Sequence, residues 1–501
     1  MSGGLARSAL VLALVLGGAG AARAAAPVHT QGGALQGIDA QGVTAYLGIP
    51  YAVPPVGVLR WRPPQGLPHW SGVRTADHFG NDCMQGRRPG TPEATHPTSE
   101  DCLYLNVWAP PAGKQPHPVL MWVHGGAFVV GSASQPLYDG ASLARRGVVV
   151  VTLNYRLGRF GFFAHPALAG EGGGANFGLL DQIKALRWVR GNIAAFGADA
   201  HAVTLAGQSA GGASVADLMV SPLARGLYDR AIIESGIMRN PPTTLAEARA
   251  EAETAVSTTW GVSGKVDAAA LRGLPAEVVL GRGPPLAVRA GPIIDGAVLP
   301  QDVFSAFAAG HVPRVPLLIG SNSYEAGFFR SRADGLAQRY AAEWRHVTQV
   351  FDGYGTHRTS EIEGELATDQ LITGPTWQVA RDAARAGLPT YLYYFAYVRP
   401  SERGRMPGAS HIDEVYALFD QMGSVEPHPD ASTARIIDEV QSRWAEFART
   451  GAPGAGWPRL RPQALQVLQF DNQGVRVRGE FARARLELAD QLARHAAPPG
   501  G

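Results

Sequence analysis

VTLAGQSAGGAS, residues 203–214, decides the fold, because it joins a β-branched run to a helical run through one serine set between small residues. Residues 202–206 predict a short buried strand and residues 213–220 a helix, with Ser209 at the corner between them. A Cβ atom at position 207 or 211 would strike the adjacent strand and helix, so glycine suits both positions. The corner pushes the Ser209 hydroxyl outward, and the amide of Ala210 at the helix start faces the same point. The stretch therefore predicts a nucleophile, and a chance match in a Gly-rich chain is the alternative.

The start of the chain predicts export. Arg7, an apolar stretch at residues 9–16 and small residues ending at Ala24 are typical of a secretory signal peptide over residues 1–24. The apolar stretch is far shorter than the ~20 residues that a membrane span requires. We therefore expect a periplasmic or secreted protein whose mature chain, residues 25–501, is a single domain without a membrane span.

Charge and cysteine content exclude several classes of function. The full chain has 44 Lys and Arg against 42 Asp and Glu, and loss of Arg7 and Arg23 with the signal peptide balances them. A balanced charge gives no support for nucleic-acid binding. In an exported protein, Cys83 and Cys102 predict a disulfide in preference to a metal site or reactive thiols. The chain has no Cys-x-x-Cys or His-Glu-x-x-His spacing, so we predict no metal and no cofactor.

Apolar runs of strand length alternate with helical patterns along most of the chain. The runs lie at residues 119–123, 148–154, 203–205, 231–233, 315–319 and 391–397. Apolar residues recur at helical spacing from Leu179 to Phe196, the Ala-rich residues 243–290 also predict helix, and residues 330–371 give no clear pattern. GALQGIDAQGVTAYLGIPYA, residues 33–52, predicts an N-terminal antiparallel hairpin. The sequence thus predicts an α/β fold with a large, mostly parallel central sheet and helices on both faces.

Candidate partners for Ser209 follow later strands, because functional groups in an open α/β sheet collect at the carboxyl ends of the strands. Glu325 lies in SNSYEAGFF after the run VPLLIG, and His411 lies in RPSERGRMPGASHIDEV after the run YLYYFAYV. The order Ser209, Glu325, His411 is the order expected for a nucleophile, an acid and a base that follow successive strands. An imidazole would take the serine proton, and a carboxylate would fix its tautomer and stabilise its charged form. A structural salt bridge is the alternative interpretation of Glu325.

A second turn of small residues, 124–128 in VLMWVHGGAFVVGSAS, follows another predicted strand. The amides of Gly126 and Ala127 are predicted to join that of Ala210 around a developing oxyanion. A Gly-Gly turn required only for tight packing is the alternative.

Several long motifs extend beyond these residues. They are SEDCLYLNV (99–107), LNYRLGRFGFF (153–163), NFGLLDQIKALRWVRGNIAAFGAD (176–199), VTLAGQSAGGAS (203–214) and RWAEFARTGAPGAGWP (443–458). Together they resemble the type-B carboxylesterases and cholinesterases, including the bacterial para-nitrobenzyl-esterase-like members, over roughly residues 27–475.

This resemblance implies the α/β-hydrolase fold and hydrolysis of small-molecule carboxylic esters through an acyl-enzyme. It implies a triad of Ser209, Glu325 and His411, with oxyanion donors at Gly126, Ala127 and Ala210. It also supports pairing of Cys83 with Cys102 and implies a structural ion pair between Arg60 and Glu100. A monomer and a homodimer are both left open.

Two departures from the family pattern concern the substrate. Most members carry glutamate where this chain has Gln208, so one negative charge beside Ser209 is missing. Choline-ester enzymes of the family also use a tryptophan in a cysteine-closed loop, and no tryptophan lies between Cys83 and Cys102. Both changes weaken attraction for a quaternary ammonium, so we predict neutral or acidic esters in preference to choline esters.

The candidate pocket residues are Gln208 and three aromatic residues, Phe128, Phe328 and Phe329. Plain core packing is the alternative for each ring. Other functions are also possible on the same residues: amide hydrolysis, acyl transfer, or the adhesion role of family members that have lost the serine. The complete set of Ser209, Glu325 and His411 favours ester hydrolysis over these alternatives.

Overall fold

The structure is a computed structural model that describes residues 23–40, 42–86, 94–170, 174–281, 290–352 and 357–495. Of the predicted signal peptide, residues 1–22 lie outside the described residues. Parts of the loop between the two cysteines and of the Ala-rich stretch, residues 87–93 and 282–289, lie outside them as well.

The described strands have the following bounds. They are β1 Arg23–Ala24, β2 Val28–His29, β3 Ala34–Gln36, β4 Ile38–Ala40, β5 Val43–Pro50, β6 Val73–Thr75, β7 Asp82–Cys83, β8 Thr98–Ser99, β9 Tyr104–Ala109, β10 His117–Val123, β11 Val149–Leu153, β12 Ala198–Gln208, β13 Arg230–Glu234, β14 Thr243–Thr244, β15 Ile293–Ile294, β16 Leu317–Asn322, β17 Thr390–Ala396, β18 Val467–Asp471 and β19 Gly474–Arg478.

Twelve of these strands form one sheet, in the order β1-β4-β5-β9-β11-β10-β12-β13-β16-β17-β18-β19. Its centre, from β11 to β18, is parallel, as the sequence predicts. Both edges are antiparallel, so the sheet as a whole is mixed. The predicted N-terminal hairpin is present as β4 and β5, which pair antiparallel and extend one edge.

The central strands are buried on both faces, which explains their continuous apolar runs. In β10, Val119, Met121 and Val123 pack into the hydrophobic cluster on one face of the sheet. The alternate residues Leu120 and Trp122 pack into the cluster on the opposite face. Successive side chains of a strand point to opposite faces, so both halves of the run are needed for burial.

The described helices have the following bounds. They are α1 Ala141–Arg145, α2 Gly158–Gly161, α3 Phe177–Asn192, α4 Ala210–Val220, α5 Leu245–Thr254, α6 Ala268–Arg272, α7 Ala276–Leu280, α8 Val303–Ala308, α9 Arg330–Ala333, α10 Leu336–Arg339, α11 Trp344–Phe351, α12 Thr359–Thr368, α13 Gly374–Arg385, α14 Asp413–Leu418, α15 Ala431–Thr450 and α16 Arg483–His495.

Helices cover both faces of the sheet. Helices α3 and α4 contribute Leu186 and Val215 to the cluster on one face, whereas α15 contributes Val440 and Trp444 to the other. The predicted crossover helix from Leu179 to Phe196 is α3 followed by one 3-10 turn. None of the described helices is long and apolar enough to cross a membrane.

The Ala-rich stretch at residues 243–290 is less helical than the sequence predicts. Helix α5 passes into a π-helical turn, Ala255–Thr259, and the described remainder contains only the short helices α6 and α7. Gly261 and Gly264 have positive φ angles of 65° and 86°, which a continuous helix does not allow. Residues 330–371, which give no clear pattern, contain the four helices α9 to α12.

Candidate active site

Ser209 occupies the corner between β12 and α4, with φ 56° and ψ −124°. Such a backbone is costly for a residue with a Cβ atom, and the surroundings hold it in place. A Cβ atom on Gly207 would lie 2.6 Å from the carbonyl carbon of Gly211, and one on Gly211 would overlap the carbonyl oxygen of Val123. The two flanking glycines therefore let strand, corner and helix approach closely, as the sequence predicts.

Glu325 and His411 meet at the same edge of the sheet, although 86 residues separate them. Nδ1 of His411 lies 2.5 Å from Oε2 of Glu325. The other oxygen, Oε1, accepts the backbone N–H of Asn322 at 2.8 Å. Glu325 is fully buried and His411 is 6% exposed. The carboxylate thus fixes the imidazole with Nδ1 as the donor, which leaves Nε2 able to accept a proton.

Nε2 of His411 has no hydrogen-bond partner among the described residues. It borders the same cavity as Ser209. Hydrogen bonds between catalytic groups are often long in unliganded proteins and tighten when substrate binds. The structure therefore brings the three predicted residues to one site, with the acid–base contact formed.

The turn after β10 lies beside Ser209. A Cβ atom on Gly125 would lie 3.1 Å from Cβ of Ser209. The φ angles of Gly126, Ala127 and Phe128 are 114°, 54° and 61°. Three successive residues thus have positive φ, which carries a steric cost for the two residues with side chains. This unusual backbone re-aims the amides of the turn, and those of Gly126, Ala127 and Ala210 donate to no other group in the described part of the chain.

His124 supports the turn as a neutral side chain. Nδ1 lies 2.7 Å from the carbonyl oxygen of Gly125, and the ring stacks on Tyr155 at 4.6 Å. Burial lowers the pKa of His124 to about 4. The imidazole is therefore uncharged at neutral pH and acts as a fixed hydrogen-bond donor.

A cavity of about 910 Å³ opens over Ser209. Gln208 and Phe328, two of the predicted pocket residues, belong to its wall. Phe128 and Phe329 do not: Phe128 packs edge-on against Phe162 at 5.2 Å, and Phe329 packs against the ring of His411 at 5.7 Å. The positive φ of Phe128 turns its side chain toward the core, a backbone detail that sequence reasoning does not supply.

Sequence reasoning missed the charged wall of the cavity. Its charged members are Arg330, Asp334, Arg358, Glu361, Glu363 and Arg405. Arg358 pairs with Glu361 at 2.6 Å. Three cations and three anions balance on this wall. The sequence did contain a signal for this wall, because Arg330 lies close to Glu325 in the chain and Arg405 lies close to His411.

Two further carboxyls lie beneath the site and were also missed. Glu234, at the end of β13, accepts the indole N–H of Trp444 at 2.7 Å, and Glu414 in α14 accepts the side-chain amide of Asn322. Burial raises the pKa of Glu234 to about 8. Burial, and then the neighbouring Glu234 and Glu325, raise the pKa of Glu414 well above its usual value. Both side chains are therefore favoured in their uncharged forms.

A disulfide joins Cys83 to Cys102. The adjacent Asp82 is fully buried, and its carboxylate accepts the hydroxyls of Ser132 and Ser134 and the backbone N–H of Thr95. These donors compensate a charge that would otherwise be costly to bury. Asp82, next to the disulfide, is thereby tied to Ser132 and Ser134 in the chain that follows the turn after β10.

The predicted ion pair of Arg60 and Glu100 is present. It is bidentate, with nitrogen–oxygen distances of 2.6 Å and 2.5 Å. Arg60 also donates to the carbonyl oxygen of Leu274 at 2.6 Å. Neither residue borders the cavity over Ser209. The pair connects the chain next to Cys102 with the loop between α6 and α7, which is a structural role.

A parallel-centred sheet with a serine at a strand-to-helix corner, and an acid and a histidine on later strand ends, defines the α/β-hydrolase fold. The Carboxylesterase family model matches residues 24–489. The chain belongs to the carboxylesterase family, and it is a serine hydrolase of carboxylic esters.

Relatives and solved structures cover nearly all of the chain. A fumonisin B1 esterase of Sphingopyxis macrogoltabida is 35% identical over 482 residues, which are 89% of this chain and 86% of that protein. A para-nitrobenzyl esterase of Bacillus subtilis is 36% identical over 478 residues, 89% and 95% of the two chains. The crystal structure of a Geobacillus stearothermophilus carboxylesterase matches with a TM-score of 0.79 and 33% identity, covering 92% of this chain and 99% of that one.

Proposed function

We propose that Ser209, His411 and Glu325 carry out ester hydrolysis as nucleophile, base and acid. The observation that carries this assignment is the 2.5 Å contact between Nδ1 of His411 and Glu325, which leaves Nε2 unpartnered in the cavity that Ser209 also borders. The amides of Gly126, Ala127 and Ala210 are the proposed oxyanion donors, and residues 124–128 are called the oxyanion turn below.

The reaction has two steps, acylation of Ser209 and hydrolysis of the acyl-enzyme, and both use the same groups. Nε2 of His411 takes the hydroxyl proton as Ser209 Oγ attacks the ester carbonyl carbon, and the carbonyl oxygen becomes an anion held by the three amides. The carbon–oxygen bond to the alcohol then breaks, and the imidazolium returns the proton to the leaving oxygen. Water, deprotonated by His411, attacks the acyl-enzyme and releases the acid, while Glu325 stabilises the imidazolium in both halves.

Replacement of the nucleophile tests the assignment. Ser209→Ala is expected to lower kcat for p-nitrophenyl butyrate at least 10³-fold with an unchanged melting temperature. Ser221→Ala is a control, because Ser221 lies at the other end of α4, is fully buried, and its hydroxyl has no partner in the described structure. Full activity of Ser209→Ala would refute the assignment.

We propose that the substrates are neutral or acidic esters rather than choline esters. Gln208 is uncharged, and the charged groups of the cavity wall balance, so the site offers no net attraction to a cation. Two relatives are named for fumonisin B1 and para-nitrobenzyl esters, which supports a substrate other than choline.

A pair of isosteric esters tests this preference. Butyrylcholine carries a quaternary nitrogen where 3,3-dimethylbutyl butyrate has a quaternary carbon. We expect a higher kcat/KM for the neutral ester. A kcat/KM for butyrylcholine equal to or above it would contradict the proposal.

We further propose that residues 1–24 are removed on export to the periplasm or the medium. Cleavage after Ala24 would delete β1, which within the described structure pairs with Ile38 and Asp39 at the sheet edge. Ala25, whose N–H donates to Gly37 at 3.0 Å, would remain. N-terminal sequencing of the exported protein checks the cleavage position, and light scattering decides between the proposed monomer and homodimer.

A further inference from the structure

Gln208 contacts two parts of the site at once. It is the last residue of β12 and is 2% exposed, and its Nε2 donates to the carbonyl oxygen of His411 at 2.5 Å. A carbonyl oxygen only accepts, so the NH₂ end of the amide must face it. The oxygen end lies near the oxyanion turn, where a Cβ atom on Gly125 would be 3.1 Å from Oε1.

Hydrogen bonds also hold the residues on either side of His411, and the carbonyl oxygen of Ile412 accepts the N–H of Val415 at 3.1 Å. The carbonyl oxygen of Ser410 accepts the side chain of Asn322 at 2.6 Å, and the N–H of Ser410 donates to Asp413 at 2.7 Å. Gln208 supplies the hydrogen bond to the carbonyl of His411 itself. Loss of that donor would leave a buried carbonyl unpartnered at the base, which favours local movement of the residue.

An ionised carboxylate could not make the same contact. Both of its oxygens are acceptors, so one would oppose the carbonyl oxygen of His411. It would also stand beside Glu234, which pairs in register with residue 208 in the adjacent strand. The titratable side chains on the surrounding elements are His124, Tyr138, Glu234, Glu325, Tyr393, His411, Asp413, Glu414 and Tyr416.

We propose that Gln208 is a positioning residue whose amide holds His411 by its carbonyl and sets it against the oxyanion turn. This inference rests on the proposed triad. The amide acts as a permanent neutral donor, so the base is held in the same place across the working pH range. Gln208 therefore acts by donating a hydrogen bond. The absence of a negative charge at this position follows from the need for an amide donor.

Removal of the donor gives the first test. Gln208→Met keeps the length of the side chain, and we expect kcat for p-nitrophenyl butyrate to fall about tenfold or more with KM changed by less than about twofold. Gln182→Met is the matched control: Gln182 is equally buried, and its Nε2 donates to Ser214 at 3.0 Å. The control is expected to lose a similar amount of stability and to keep its kcat. An unchanged kcat in a folded Gln208→Met enzyme would overturn the inference.

The pH profile of Gln208→Glu gives the second test. This substitution keeps a polar side chain of the same length. A protonated glutamic acid can donate to the carbonyl of His411, whereas the ionised form cannot. We expect near wild-type kcat at low pH and a new fall in kcat as pH rises, absent from wild type. The alternative outcome is a pH profile in which the acid limb of kcat moves to higher pH while the plateau keeps its wild-type height. That profile would mean that only the charge at this position matters, and it would overturn the inference.

The two tests separate the inference from the function on which it rests. Activity that survives in Ser209→Ala refutes the proposed triad. A normal kcat in Gln208→Met, with Ser209→Ala inactive, refutes only the positioning role.

Discussion

Glu325→Gln is expected to remove most of the activity while leaving the fold intact. In the wild type, Oε1 of Glu325 accepts the backbone N–H of Asn322 at 2.8 Å, and Oε2 lies 2.5 Å from Nδ1 of His411. Glutamine has one acceptor oxygen, and the N–H of Asn322 requires it. The NH₂ group of the variant must then face Nδ1.

This orientation forces the wrong tautomer on the base. Nδ1 has to accept from the glutamine amide, so the imidazole proton moves to Nε2, the atom that should take the proton of Ser209. The variant also loses the negative charge that stabilises the imidazolium. Together these losses are expected to lower kcat on the order of 10⁴-fold, or about 5.4 kcal/mol of transition-state stabilisation.

Steady-state kinetics with p-nitrophenyl butyrate and a thermal melt measure the two halves of this prediction. Glu234→Gln is a suitable control, because Glu234 is equally buried and an amide oxygen can still accept the indole N–H of Trp444. The control should keep its kcat within about threefold. A Glu325→Gln enzyme within tenfold of wild type would refute the reasoning.

Three further predictions concern stability. Replacement of Cys83 and Cys102 by serine should lower the free energy of unfolding by about 3 kcal/mol in urea titrations, because the crosslink closes a loop with a sequence separation of 19; an unchanged midpoint would contradict this. Glu234→Gln should gain stability relative to wild type as pH rises from 5 to 8. The pKa of Glu234 is raised to about 8, so the folded wild type binds a proton that the unfolded chain releases, and loses stability over that window; parallel curves of Tm against pH would be evidence against it. Gly211→Ala should prevent a stable fold or cost at least about 3 kcal/mol, since its Cβ would overlap the carbonyl oxygen of Val123, and soluble protein with a normal Tm would show that the corner relaxes.

The sequence predicted the parts of this protein that depend on local chemistry. The corner at Ser209 follows from the need for small residues at 207 and 211, and the buried strands follow from apolar runs with both faces covered. The acid and the histidine could be proposed because strand ends meet at one edge of a parallel sheet. Their contact required the fold, since no local pattern joins residues 325 and 411.

Other features depend on tertiary packing and escaped the sequence. The ring of Phe128 turns away from the cavity because of a left-handed backbone that a non-glycine residue rarely adopts. Glu234 and Glu414 look like ordinary charged residues in the sequence, and their burial in the fold is the main cause that raises the pKa of each. The glycines that interrupt residues 243–290 are visible in the sequence, but the prediction of helix rested on the alanine content alone.

The charged wall of the cavity lies on different pieces of chain from Ser209 and the turn after β10. Residues 330–334, 358–363 and 405–407 supply the wall from helices α9 and α12 and a loop outside the sheet, whereas Ser209 and the turn directly follow β12 and β10. Substitutions can therefore change the wall without altering β10, β12 or the residues that follow these strands. Chimeras that graft these three surface segments from a relative should acquire that relative's substrate range and keep the same acyl-enzyme chemistry, which makes the wall the natural target for recombination.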